Sequence, residues 1–148
     1  MADASRVGAV PDPLDQLTKE LAPVRSAASP LDLEPLLRDL PALTGLGIVR
    51  GRVHAATSLG LATAVLAVVR EAAASLDEAV PEHNQVHLLF RVHPKTARLT
   101  PAGARQAAQE VSGVEMRQFR FRQEGRLRRL VAQQLLEMQY GADHRPYE

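Results

Sequence analysis

The apolar residues of this chain are almost all aliphatic. Of its 148 residues three are Phe, two are Tyr and none is Trp, although hydrophobic residues reach 45%. A core restricted to Leu, Val and Ala suits helices packed on helices better than a β-sandwich, whose pleated surfaces favour aromatic and β-branched side chains. The length is that of one ordinary domain of about 100–150 residues, enough to bury a core without staples. There is no cysteine. That excludes a disulfide scaffold, a Cys-ligated zinc site, an iron–sulfur cluster and a Cys nucleophile.

Helix starts are written plainly. Asp12-Pro13, Ser29-Pro30 and Thr100-Pro101 each set a capping side chain before a proline at the first helical position. Leu14, Leu17 and Leu21 then share one face, and Pro23 is expected to end that helix after about two turns. Leu33, Leu36, Leu37 and Leu40 form the stripe of a second stretch, closed by Pro41 and the run Thr44-Gly45-Leu46-Gly47, with a short strand at Ile48–Val49 as an option. Residues 53–76 are apolar nearly all round and predict the central helix, with Gly60 as a point of close approach. Residues 82–92 read as a helix, because one strand would be orphaned, and His93-Pro94 ends it.

A helix from Thr100-Pro101 to about Val111 carries Ala104, Ala107, Ala108 and Val111 as its small-residue face. Gly113 makes the turn after it. The next helix starts near Glu115 with Met116 and Phe119 inward, and Gly125 marks a break. The last helix spans about 126–140, its stripe being Leu127, Leu130, Val131, Leu135 and Met138. The expectation is an all-α single bundle of five to seven helices over residues 13–140, ending in a helix-turn-helix-like unit at 101–122. Flexible tails are expected at 1–12 and 141–148.

Charge is divided unevenly. Residues 1–90 sum to −4, residues 91–130 to +7 and residues 131–148 to −2, giving the net +1. Nine of the ten cations in the middle block are Arg, the side chain suited to forked contacts with phosphate or carboxylate. Such a block on a weakly acidic body points to an anionic partner, or else to a basic face answering the chain's own acidic helices.

Within 101–122, Ala side chains allow a close helix crossing at Ala108, Gly113 turns the chain, Val114 seals the corner and Phe119 anchors the second helix. With Phe119 inward, Arg117, Gln118, Arg120 and Phe121 lie on the opposite side at about 100° per residue. These side chains can reach phosphates or base edges, and Arg105 on the preceding helix is grouped with them. The stretch AQEVSGVEMRQFRFRQEGRLRRLVAQQLL, Ala108–Leu136, resembles the C-terminal segment of small actinobacterial helical modules. There an A-A-x-x-L-G-V-S-x-x-T-F-R-R-like run leads into an acidic residue, often a proline, and a Leu-rich final helix. Here Gly125 stands where proline is frequent, and Glu115 and Gln118 replace small hydroxyl residues. The resemblance implies a regulatory or signalling module of the kind often fused to larger effector proteins.

Other constellations are weaker. His83 and His87 share a helix face, but with only Glu82 as a local third ligand they are expected to face solvent rather than hold zinc. The glycines at 45, 47 and 51 do not match a dinucleotide loop. Glu71, Asp77 and Glu78 read as exposed charges, and Arg128 and Arg129 as stems covering an apolar edge with their heads in water. No nucleophile motif or phosphate-binding loop occurs, so no enzyme, cofactor or metal is expected. Residues 53–69 are too short and too polar to span a bilayer. The first residues lack the basic lead and apolar run of a signal peptide, which makes cytoplasm the expected compartment. The leading expectation is a non-enzymatic regulator whose basic C-terminal part binds an anionic partner, most concretely DNA. The alternative is a protein-interaction adaptor that docks on a larger effector protein without touching nucleic acid. The last helix offers an interface for a homodimer.

Overall fold

A computed structural model describes residues 12–143, so all but one residue of the tail expected at 1–12, and most of the tail expected at 141–148, lie outside the described residues. The described chain is helical, with no strand among these residues. Its elements are α1 (Pro13–Ser26), α2 (Pro30–Leu33), a 3₁₀ segment (Glu34–Asp39), α3 (Pro41–Gly45), α4 (Gly47–Arg50), α5 (Ser58–Ala74), α6 (Pro81–Leu89), α7 (Pro101–Ser112), α8 (Met116–Gln118), a π turn (Phe119–Gln123) and α9 (Glu124–Asp143). Among them α1, α5, α6, α7 and α9 have nine or more residues.

Two of the three capping signals act where the sequence wrote them, while Ser29 stands before α2 without a side-chain cap bond. The Asp12 carboxylate accepts from the Leu14 amide at 2.9 Å, and Thr100 Oγ1 accepts from the Gly103 amide at 3.1 Å. Each satisfies one of the amides a helix start leaves unpaired. Two short helices solve the same problem differently. Their cap positions are Leu40 and Leu46, neither of which makes a side-chain cap bond. The Glu20 carboxylate of α1 instead accepts from the amides of Ala42 and Leu43 at 3.0 and 2.9 Å. Gln139 Oε1 of α9 accepts from the Ile48 amide at 2.9 Å. Long helices thus cap short ones, which leaves Leu40 free to lie wholly in the core.

The core runs through all the long helices. Leu17, Leu21 and Val24 of α1 meet Leu127, Val131, Ala132 and Leu135 of α9, and α1 against α9 is the most extensive pairing. Ala62, Val65, Val69, Ala72 and Ala73 make α5 the central wall, and α6 packs on α7.

Several expectations are corrected. Pro23 lies inside α1, which runs on to Ser26. Burial of Val24 and Arg25 beyond it offsets the lost hydrogen bond and ring clash. The Ile48–Val49 option is helix α4. The central helix begins at Ser58, because Thr57 caps it by accepting from the Gly60 amide at 2.9 Å. Residues 53–57 fold back over that first turn, so a Cβ on Gly60 would lie 2.1 Å from the Ala55 carbonyl oxygen. The close approach at Gly60 is therefore made by the helix's own lead-in. Helix α6 stops at Leu89 rather than at His93, and Arg91 takes a left-handed φ of 59° just after it. The Arg91 guanidinium is held by the carbonyls of Ala27, Ala28 and Leu99. Burial, with Arg70 nearby, pushes its pKa below the ordinary arginine value.

His87 is buried, not solvent-facing. Its Nε2 donates to the Leu76 carbonyl at 2.8 Å, and its Nδ1 lies 3.6 Å from the Glu78 carboxylate. The ring closes the C-terminal end of α5. Glu71 of α5 pairs with Arg52, which follows α4, and both side chains stay exposed. Helix α9 reaches Asp143, three residues into the stretch expected as tail. No helix of the described residues is long and apolar enough to cross a membrane.

Candidate nucleic-acid interface

The segment 101–124 begins with α7. Ala104 and Ala108 are fully buried and Ala107 partly so, but Val111 is 49% exposed, one step beyond the packed face. Gly113 takes φ +72° with open space where a Cβ would stand, and ends α7 in the left-handed conformation expected of it. The Val114 carbonyl accepts from Gln109 Nε2 at 2.6 Å and its amide donates to Ser112 Oγ, which holds the corner. Val114 is half-buried against the core. Beyond it Phe119 is wholly buried and Met116 half-buried.

Past Phe119 the helix widens into the π turn, where the Glu124 amide donates to the Phe119 carbonyl, five residues back. There is a packing reason for the extra residue. Eight α-helical steps at about 100° would leave Leu127 about 80° out of phase with Phe119. One wide turn takes up the excess and lets both sit in the core. The irregularity expected at Gly125 therefore lies at 119–123, and the chain stays helical through Gly125.

With Phe119 pinned, the other side of this turn faces solvent. Arg117, Gln118, Arg120, Phe121 and Arg122 are all exposed, and Phe121 reaches 77%. A shallow groove of about 410 Å³ is lined by Glu115, Arg117, Gln118, Phe121 and Arg122. Among the described residues Arg117, Arg120 and Arg122 have no ion-pair or hydrogen-bond partner. Sequence reasoning placed Arg117, Gln118, Arg120 and Phe121 together correctly as exposed neighbours. It missed Arg122, which the wide turn brings to the groove, and Glu115, the carboxylate at its edge.

Arg105 is elsewhere. Its Nε and Nη2 fork onto the Glu124 carboxylate at 2.7 and 3.1 Å. Arg25 Nε approaches the same carboxylate at 3.4 Å, and its Nη1 donates to the Pro101 carbonyl at 3.2 Å. Glu124 and Arg25 are both almost fully enclosed, so this Arg–Glu–Arg triad ties α1, α7 and α9 together. Burial lowers the Arg25 pKa from the ordinary arginine value, and the Glu124 charge opposes that shift. A cation with a lowered folded pKa costs stability throughout the pH range below that pKa. The neighbouring carboxylate is what limits the cost.

The remaining block cations are partly spoken for. Arg126 pairs with Glu82 at 2.9 Å and Arg129 with Asp15 at 2.7 Å, while Arg128 Nη1 donates to the Thr18 carbonyl at 3.1 Å. The head of Arg128 therefore turns onto α1 instead of resting in water, while Arg129 stays exposed as it pairs with Asp15. Part of the +7 block answers the acidic first ninety residues, and the part at 117–122 does not. No group of three or more His, Asp or Glu among the described residues could hold a metal ion. Comparison of the chain with protein families, with curated proteins and with solved structures finds no match.

Proposed function

We propose that this protein is a non-enzymatic regulator whose basic face at 115–122 binds an anionic partner, most concretely DNA. The supporting observation is the set of guanidinium groups of Arg117, Arg120 and Arg122, unpaired among the described residues and displayed beside Phe121 on a helix anchored by buried Phe119. Five other cations of the same block are consumed internally; Lys95 and Arg98 are exposed in the loop before α7, and the remaining three fall within six residues beside Phe121. The helix-turn-helix-like reading of 101–122 draws on the Gly113 turn and the buried alanines of α7. It belongs with the resemblance to actinobacterial regulatory modules as part of this proposal, and cytoplasm is the compartment that goes with it.

The test is retention of labelled DNA, duplex and single-stranded, across a salt series. Phosphate contacts release counterions, so the logarithm of affinity should fall linearly with that of salt. Changing Arg117, Arg120 and Arg122 together to Ala should flatten that slope by about two to three units. No retention of either strand form at low salt eliminates the proposal. The adaptor reading, with a larger effector protein or a homodimer as partner, is favoured by one observation, the exposure of the apolar side chains of Val111 and Phe121. A chain that captures an effector through Phe121 while ignoring nucleic acid would establish it in place of the first.

A further inference from the structure

This chain has only three phenylalanines and no tryptophan. Phe90 and Phe119 are buried at 5% and 0% exposure, while Phe121 stands 77% in solvent. Leaving a large ring in water forgoes the stabilisation its burial would bring, in a molecule that has few rings to spend. The ring shares its groove with Arg117 and Arg122, and Arg120 is exposed one residue before it. None of these three cations is neutralised among the described residues.

An exposed aromatic ring among unpaired arginines can recognise a base by its face and a backbone by its charge. The faces of bases are covered by their neighbours in a duplex and become available only in single strands. Duplex readout asks for polar or methyl contacts to base edges, and a bare phenyl ring is poor at making them. Glu115, at the edge of the groove, repels a continuous phosphate track but can accept from an exocyclic amino group of a base.

Resting on the function proposed above, we infer that the preferred ligand of this face is single-stranded nucleic acid, with Phe121 as the stacking platform and Arg117, Arg120 and Arg122 as the backbone contacts. The groove is small, about 410 Å³ with five lining residues, so longer strands gain by repeated chances of binding rather than by a longer footprint.

The experiment uses the full chain, a 16-nucleotide single strand, the same sequence as a duplex, and inorganic polyphosphate as a charge-only probe. Phe121→Trp introduces the sole tryptophan of the chain, and stacking on a base should quench its fluorescence. The inference expects the single strand to bind at least about tenfold tighter than the duplex, and to quench the Trp while polyphosphate does not. Phe121→Ala should lose about tenfold or more in single-strand affinity, in line with stacking on one base, and retain its polyphosphate affinity. Because Phe121 is exposed, these variants should melt like the parent, and a melting curve on each checks it. Equal binding of both strand forms with no effect of Phe121→Ala overturns the inference and leaves the function above standing. Tighter duplex binding does the same. Failure to bind any of the three probes overturns both.

Discussion

Glu20 shows how much one side chain settles in this molecule. It is a buried carboxylate with no cation paired to it among the described residues, held by two backbone amides of α3 and by Gln16 Nε2 at 2.7 Å. Glu20→Ala strands both amides in a protein interior, and urea denaturation should report a loss of about 1–3 kcal/mol. Glu20→Gln keeps one acceptor oxygen and should lose less. Gly60 is equally committed. Gly60→Ala drives a Cβ into the Ala55 carbonyl, and thermal unfolding should register a loss of about 1–3 kcal/mol. Gly113→Ala meets open space and suffers only the left-handed backbone, about 1–2 kcal/mol by the same measurement. Gly113 was legible in the sequence because a turn residue after a helical run has a local signature. Glu20 was not, because the two amides it caps lie more than twenty residues away and nothing local distinguishes it from a solvated helix charge. The same holds for His87, which a helix-face argument puts in water and the C-terminal end of α5 pulls inside.

At the scale of elements, the starts of α1 and α7 could be read from an Asp or Thr before a proline, because capping is a local matter. The ends could not. Pro23 failed to stop α1, since packing on α9 outweighs a local penalty. The π turn was invisible because periodicity arguments assume one repeat throughout. It carries its own prediction. Deleting Arg122 shortens the path from Phe119 to Leu127 to seven residues, close to two regular α-turns. That deletion should leave a cooperative melt within about 1–2 kcal/mol of the parent by the reasoning that a bulge absorbs an insertion. Deleting Gln133 inside α9 rotates the rest of its stripe by about 100° and should abolish the cooperative transition. Equal damage from both deletions would refute the phase argument. The Arg25–Glu124–Arg105 triad sits immediately beyond this turn. Glu124→Gln leaves Arg25 buried without a counter-charge, and chemical denaturation should show a loss of about 3–5 kcal/mol. That is a large fraction of the roughly 5–15 kcal/mol that holds a domain folded.

Across the whole molecule, the sequence showed that the chain is helical and where its positive charge is concentrated, both being sums over many residues. It could not show how that charge is divided. Arg126 and Arg129 answer Glu82 and Asp15, Arg105 answers Glu124, and Arg91 and Arg128 hold backbone carbonyls. Only the folded arrangement separates these from Arg117, Arg120 and Arg122. The proposed binding face is therefore a local excess of charge, in a chain whose net charge is only +1. Its most direct test is amide hydrogen exchange of the full chain with and without saturating single-stranded DNA at low salt. Slower exchange confined to the stretch from the Gly113 turn through the π turn at 119–123 is the result this account predicts. Protection centred instead on the loop and helix starts at 50–63, with the π turn unchanged, would contradict it.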